Sequence, residues 1–241
     1  MGGRVKKFLF IFLVVIIFLT AIFGIWGYIK AQSVKEDGEN LRQLTANLLV
    51  LEEVDPYSSQ IPLKDWKSLA DHGPAISEEV EKLSTIDEFM KQKMSDFFSV
   101  ESGDKYREAQ YLQLLIVGQE RLNLKNEQPR TKTEIEEIIS VLKETQEEIN
   151  DKGLSLGPDL NQSLENLEAE ADIFLKECEG IAIKMTFTDP PTQLKMANFD
   201  KASDELRIAI AESLNDHVWL QDEIKQDIFR LASSNWVNPI K

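Results

Sequence analysis

The feature that most constrains this chain is an uncharged apolar stretch near its N-terminus, from Phe8 to Ile29. Its 22 residues include no Asp, Glu, Lys or Arg, and only Thr20 and Tyr28 carry side-chain hydroxyls. A helix of this length, rising ~1.5 Å per residue, covers the roughly 30 Å hydrocarbon core of a bilayer. Because backbone groups in lipid must bond within their own segment, the stretch is predicted to be a transmembrane helix.

The flanks of this segment predict its orientation. Arg4, Lys6 and Lys7 precede it, and the positive-inside rule therefore favours a cytoplasmic N-terminus. Aromatic rings near its C-terminal end are typical of the membrane–water interface. The residues that define the predicted anchor are Phe8, Ile16, Gly24, Trp26 and Tyr28. We predict a single-pass protein of the cell (inner) membrane that contacts the lipid bilayer through this helix. Its C-terminal domain is predicted to lie outside the cytoplasm.

Two other uses of the apolar segment were considered. A cleaved signal peptide has an apolar core of about 7 to 15 residues, which is shorter than this one, so a retained anchor is favoured. Thr20 and Gly24 are spaced as a small-xxx-small pair, which would let two anchors pack closely and form a homo-oligomer. Glycine is also common in membrane helices that do not pair.

Charge divides the chain into two unequal parts. All 42 acidic residues but only 23 of the 27 basic ones lie after Lys30, so residues 31–241 carry a formal net charge of −19. Binding to phosphate backbones draws on clustered Lys and Arg. No nucleic-acid partner is therefore expected.

Apolar residues after the anchor recur every three or four positions, which is the pattern of amphipathic helices. The fold class predicted is all-α, with the transmembrane helix followed by an extramembrane antiparallel helical bundle that has coiled-coil-like segments. We divide the chain into a short cytoplasmic N-terminus (1–7), the transmembrane helix (8–29), a juxtamembrane helix (30–55) that continues the anchor, and an acidic bundle (56–241).

Local signals predict where individual helices begin and end. A short helix around Trp66 is expected to end at Gly73 and Pro74, and the next to run from about Ser77 to Val100. Residues 101–104 are predicted to turn the chain. The clearest heptad-like stripe consists of Leu160, Leu164, Leu167, Ala171, Phe174, Cys178 and Ile181. The last segment is interpreted as one long helix, or two with a joint near His217.

The sequence contains no catalytic signature. Di-iron bundles use Glu-x-x-His, but Leu69 and Leu214 stand three residues before the two histidines, His72 and His217. No phosphate-binding or hydrolase motif is present. Cys178, on an apolar stripe, is interpreted as a structural residue. No catalytic residue, metal or cofactor is therefore assigned.

One group of residues is retained as a candidate pocket or switch. His217 falls on the apolar stripe of the last segment, and the aromatic side chains of Trp66 and Trp219 could line a cavity with it. Core packing is the more common role for such residues. The function predicted is a non-catalytic, membrane-tethered interaction or scaffold module that binds other membrane or envelope proteins. The alternative is an extracytoplasmic helical ligand-sensing domain that works with a partner protein.

Overall fold

The computed structural model describes residues 2–83, 86–122, 132–154, 157–177 and 190–233. All regular secondary structure in these ranges is helical, which confirms the all-α class. The elements are α1 (Gly2–Thr45), α2 (Leu63–Lys82), α3 (Glu88–Asp96), a π-helical turn (Phe97–Glu101), α4 (Ser102–Leu122), α5 (Lys132–Asp151), α6 (Pro158–Glu177) and α7 (Pro190–Ala232).

Helix α1 carries the apolar segment directly into the folded domain, as the sequence predicted. By length and composition it is apolar enough to cross a membrane, and its large apolar side chains from Phe8 to Ile29 are exposed. Further along the same helix Leu41 and Thr45 are buried. The helix ends at Thr45, earlier than the apolar spacing suggested, and residues 46–62 connect it irregularly to α2.

Helix α7 is a single helix of 43 residues that packs against α1, α4 and α6. There is no joint at His217, which lies inside continuous helix. Its buried side chains follow a three-and-four spacing over most of its length: Phe199, Ala202, Leu206, Ile210, Leu214, Gln221, Ile224, Ile228 and Leu231. Buried positions on both sides of His217 keep α7 packed against its neighbours, so the helix continues through this residue.

Contacts between α7 and its neighbours fix their relative directions. Ser213 of α7 donates a hydrogen bond to Glu108 of α4 at 2.7 Å, whereas Gln119, later in α4, bonds to Ser203, earlier in α7. Helices α4 and α7 therefore run antiparallel. The last turn of α7 lies against Gly38 of α1.

The predicted end of the short helix at Gly73 and Pro74 is wrong, because α2 continues through both residues to Lys82. A Cβ atom at Gly73 would lie 2.8 Å from Ser102 Oγ, so the missing side chain lets α2 approach the π turn and α4 closely. Trp66, Leu69, Ile76 and Val80 stay buried on both sides of the proline. This packing offsets a helix penalty of about 3 kcal/mol for an interior proline.

The helix predicted from Ser77 to Val100 is interrupted instead after Lys82. Helix α3 begins at Glu88, and the carboxylate of Asp87 accepts a hydrogen bond from the backbone N–H of Met90 at 2.9 Å. This side-chain cap satisfies one of the donors that a helix N-terminus leaves free.

The turn predicted at residues 101–104 is also wrong. The chain passes from α3 into α4 through the π turn, and Ser102 Oγ donates to the carbonyl of Phe98 at 2.8 Å. Both Phe97 and Phe98 are buried, which the wider helical turn permits at adjacent positions. Burial of the two rings explains why a polar, glycine-containing stretch did not turn the chain.

Helices α5 and α6 complete the described fold. A Cβ atom at Gly118 of α4 would lie 2.9 Å from a methyl carbon of Leu142, so α5 approaches where a glycine makes room. The heptad-like stripe of α6 is buried at Leu160, Leu164, Leu167, Ala171 and Phe174. Cys178 and Ile181, the rest of that stripe, lie outside the described residues.

Candidate functional site

The predicted anchor has an apolar surface, and its Thr20 hydroxyl is hydrogen-bonded. Thr20 Oγ1 donates to the carbonyl of Ile16 at 2.8 Å, so the hydroxyl has a partner within its own helix. At the end of the segment, the ammonium of Lys30 lies 5.5 Å from the ring centroid of Trp26. A cation over an aromatic face suits the membrane–water boundary. A Cβ atom at Gly24 would meet nothing within 4 Å beyond the local backbone of its own helix, and anchor pairing stays a prediction.

Two of the three candidate pocket or switch residues come together. The rings of Trp66, on α2, and His217, on α7, have centroids 6.3 Å apart and planes inclined by 48°. Trp66 is only 1% exposed, and its indole Nε1 has no hydrogen-bond partner within the described chain. Trp219, in contrast, is 74% exposed. The structure therefore gives Trp66 and His217 a shared location and leaves Trp219 at the surface.

Burial, together with the smaller effect of the positive charge of Lys105, lowers the pKa of His217 from 6.5 to about 4. The imidazole is consequently neutral near pH 7. Lys105 forms an ion pair with Glu108, which is buried and also accepts the hydrogen bond from Ser213. Among the described residues, no carboxylate forms a hydrogen bond to the imidazole, and the arrangement resembles a packed, polar core contact more than an acid–base site.

A separate cavity of about 570 Å³ opens between α3, the π turn and α7, and we call it the α3–α7 groove. Its lining consists of Glu88, Phe89, Gln92, Lys93 and Asp96 from α3, Glu101 from the π turn and Leu220 from α7. The Lys93 ammonium lies 3.1 Å from a carboxylate oxygen of Glu223 and 3.2 Å from one of Asp227, so it ties α3 to α7.

Glu101 is the most unusual of the groove residues. Its Oε2 atom is buried and has no hydrogen-bond partner in the part of the chain that the structure describes. Burial raises the pKa of this carboxyl group, and the negative charge of Asp96 raises it further, while Lys105 acts in the opposite sense. π-helical turns occur frequently at functional sites.

Sequence reasoning did not find this groove. One local signal was available, because Phe89 lies off the apolar repeat that Ile86, Met90 and Met94 follow. A large aromatic residue outside the buried repeat of its helix is expected to be exposed, and Phe89 is 79% exposed. The partners from α7 could not be inferred, since they lie more than a hundred residues away in the chain.

Among the described residues, His, Cys, Asp and Glu form no group of three or more that could hold a metal ion. No protein-family model, curated protein or solved structure matches this chain.

Proposed function

We propose that this protein is a non-catalytic interaction module that is tethered to the outer face of the cell membrane and binds other membrane or envelope proteins. The observation that carries the proposal is the continuity of α1. One unbroken helix contains both the apolar segment and the buried residues Leu41 and Thr45. Because the helix is unbroken, the position of the apolar segment in the bilayer determines the position of the bundle relative to the membrane surface.

The packing of Gly38 supports a rigid connection. A Cβ atom at this position would lie 2.7 Å from the Leu231 Cβ and would also collide with the backbone of Ala232. Gly38 follows Ile29 by nine residues, or ~14 Å of helix, so this contact lies close to the proposed membrane surface. The bundle is held at a nearly fixed height and orientation, because α7 leaves α1 little room to bend there.

A domain confined to a thin layer above the bilayer meets partners that share the membrane at a raised effective concentration. The acidic charge of residues 31–241 repels anionic lipid head groups. The exposed helix faces of the domain therefore stay away from the lipid and available to partner proteins. The basic residues before Phe8 favour the cytoplasmic side for the N-terminus, which supports an extracytoplasmic domain.

A ligand-sensing domain is the second candidate, and the α3–α7 groove favours it in one respect. Its volume falls within the roughly 300–1,000 Å³ typical of small-molecule sites. The groove is open to solvent along one side, however, and a small molecule there would leave much of its surface wet. An open groove suits a macromolecular partner better.

The proposal is tested by affinity purification of the full chain from detergent-solubilised membranes. The matched control is residues 1–35 fused to an unrelated soluble protein, which keeps the anchor and removes the bundle. We expect a defined set of membrane proteins with the full chain and not with the control. Identical sets from both proteins would contradict a role for the bundle in binding. If no membrane protein is enriched and a small molecule raises the melting temperature of the full chain, the ligand-sensing function would be favoured instead.

A further inference from the structure

We propose that the α3–α7 groove is the docking site for a basic amphipathic helix of a partner protein, whose Lys or Arg side chains meet Glu101 and Asp96 while its apolar face covers Phe89. This inference rests on the proposed function, since it identifies the surface through which the tethered domain binds. It also specifies the chemistry of the partner, which the function alone leaves open.

The first argument is charge complementarity. The groove is lined by three carboxylates, on Glu88, Asp96 and Glu101, and one ammonium, on Lys93; of the carboxylates, Glu88 forms an ion pair with Lys91 at 3.5 Å. The Lys93 ammonium already lies between Glu223 and Asp227 of α7. The groove therefore keeps an excess of negative charge, and a cationic partner is attracted to it while an acidic one is repelled.

The second argument concerns Glu101. The Oε2 atom of Glu101 is buried without a hydrogen-bond donor, and leaving a buried polar atom unsatisfied destabilises a fold. A guanidinium or ammonium group entering the groove would supply the missing donor and the opposite charge. Arg suits this position because its planar group can donate two parallel hydrogen bonds to one carboxylate. The nearby Asp96 offers a second acceptor.

The third argument is the apolar content of the groove. Phe89 is largely exposed at the rim, and Leu220 lies partly buried against the core. Aromatic residues, phenylalanine included, are enriched at the centres of protein interfaces relative to the rest of the surface. A partner helix that combines apolar and basic positions would cover both features, as in other helix-in-groove complexes.

The size of the groove fits a short helix. Glu88 and Glu101 are thirteen residues apart along nearly continuous helix, which corresponds to ~20 Å. A partner helix of three to four turns spans this distance. Lys93 contacts Asp227 of α7, and Gly38 of α1 contacts Leu231 only a few residues later in the same helix. The groove therefore lies in the part of the bundle closest to the proposed membrane surface. A partner anchored in the same membrane can reach it.

The probe for this proposal is a fluorescent synthetic peptide of about 15 residues that forms a helix with Leu and Ala on one face and Lys and Arg on the other. A charge-reversed peptide keeps the apolar face and carries Glu in place of each basic residue. Binding to the full chain in phosphatidylcholine nanodiscs is measured by fluorescence anisotropy. The zwitterionic lipid keeps the basic peptide from binding the bilayer by charge alone.

Two triple variants separate the groove from the general acidity of the domain. The groove variant is Phe89→Ala, Asp96→Asn and Glu101→Gln. The matched control is Ile173→Ala, Asp172→Asn and Glu165→Gln on α6, which removes one large apolar side chain and two negative charges from another exposed surface. Circular dichroism confirms that both variants remain helical before binding is compared.

We expect the basic peptide to bind the wild type, the groove variant to raise its Kd at least tenfold and the α6 variant to raise it less than twofold. Equal weakening by both variants would show binding to bulk charge and overturn the proposal. Absence of binding to the wild type, or equal binding of the charge-reversed peptide, would also overturn it. Self-association of the chain that is abolished only by the groove variant would overturn the proposal as well, because the groove would then be occupied by a second copy of this chain.

Failure of this experiment is distinguishable from failure of the proposed function. If the groove does not bind the peptide but membrane proteins still co-purify with the full chain, another face of the bundle is the binding surface. If both experiments fail, the interaction function itself is wrong.

Discussion

Substitution of Gly38 by alanine should separate the anchor helix from the end of α7. The added Cβ would lie 2.7 Å from the Leu231 Cβ, about 0.7 Å short of the 3.4 Å at which ordinary contact begins. It would also meet the backbone of Ala232, which cannot rotate away as a side chain can. Overpacking of this kind costs about 1–3 kcal/mol, and contact with backbone places it near the upper limit. Alanine recovers about 1 kcal/mol of helix propensity, which leaves a net loss of about 2 kcal/mol.

The matched control is Gly103→Ala. Gly103 also lies in a helix, but a Cβ there would have no neighbour within 4 Å. This variant should therefore gain up to about 1 kcal/mol from helix propensity. Thermal unfolding of the full chain in detergent, followed by circular dichroism, compares the two. We expect the melting temperature to fall by roughly 4–8 °C for Gly38→Ala and to stay level or rise for the control. Equal or greater stability of Gly38→Ala would refute the close packing of α1 on α7.

Three further changes test the buried polar contacts. Glu108→Ala should destabilise the fold by about 3–5 kcal/mol in urea denaturation, because Lys105 is left in a largely buried position without its partner; a loss below about 1 kcal/mol would argue against this ion pair. Trp66→Ala should lower the free energy of unfolding by about 3–5 kcal/mol. Trp66→Phe should lower it far less, because Phe keeps the ring packing and removes an indole N–H that has no acceptor among the described residues. Similar losses for the two variants would mean that the N–H is hydrogen-bonded. The pKa of His217 is lower in the folded state (about 4) than its ordinary value of 6.5, so the unfolded state binds more protons and stability falls as the pH drops from about 6.5 towards 4. After allowance for partial exposure, the wild type should lose about 1–2 kcal/mol more than His217→Gln over that range; parallel pH profiles would contradict the burial of the imidazole.

The sequence was sufficient to predict the features that depend on repeated local patterns. The apolar run predicted a helix from Phe8 to Ile29, and the stripe through Leu160, Leu164 and Leu167 predicted the buried face of α6. Both patterns extend over several turns, so the hydrophobic gain is large compared with any single local preference.

Helix ends were predicted less well, because tertiary packing overrode local breakers. Pro74 stays inside α2, since Gly73 lets the helix lie against Phe98 and Ser102. The glycine at position 103 does not end a helix, because the π turn before it buries two phenylalanine rings. These outcomes depend on which helix lies alongside, which a local signal does not contain.

The candidate site shows the same limit more clearly. The pairing of Trp66 with His217 joins residues 151 positions apart, and the groove joins α3 to residues of α7 that lie 130 or more positions away, such as Glu223, which pairs with Lys93. The apolar stripe identified His217, and Trp66 and Trp219 were candidates because their aromatic rings could line a pocket. Neither signal could show that Trp66 lies beside His217 or that the side chain of Trp219 is exposed.

The central claim is that the apolar segment is retained and holds the helical domain at the outer membrane surface. The most direct test is protease protection on intact cells, followed by carbonate extraction of the membranes and intact-mass measurement of the protein. We expect a membrane-retained chain that still contains residues 8–29 and whose domain is degraded by external protease. A soluble chain that starts near residue 32, or a domain protected until the cells are broken, would contradict the account.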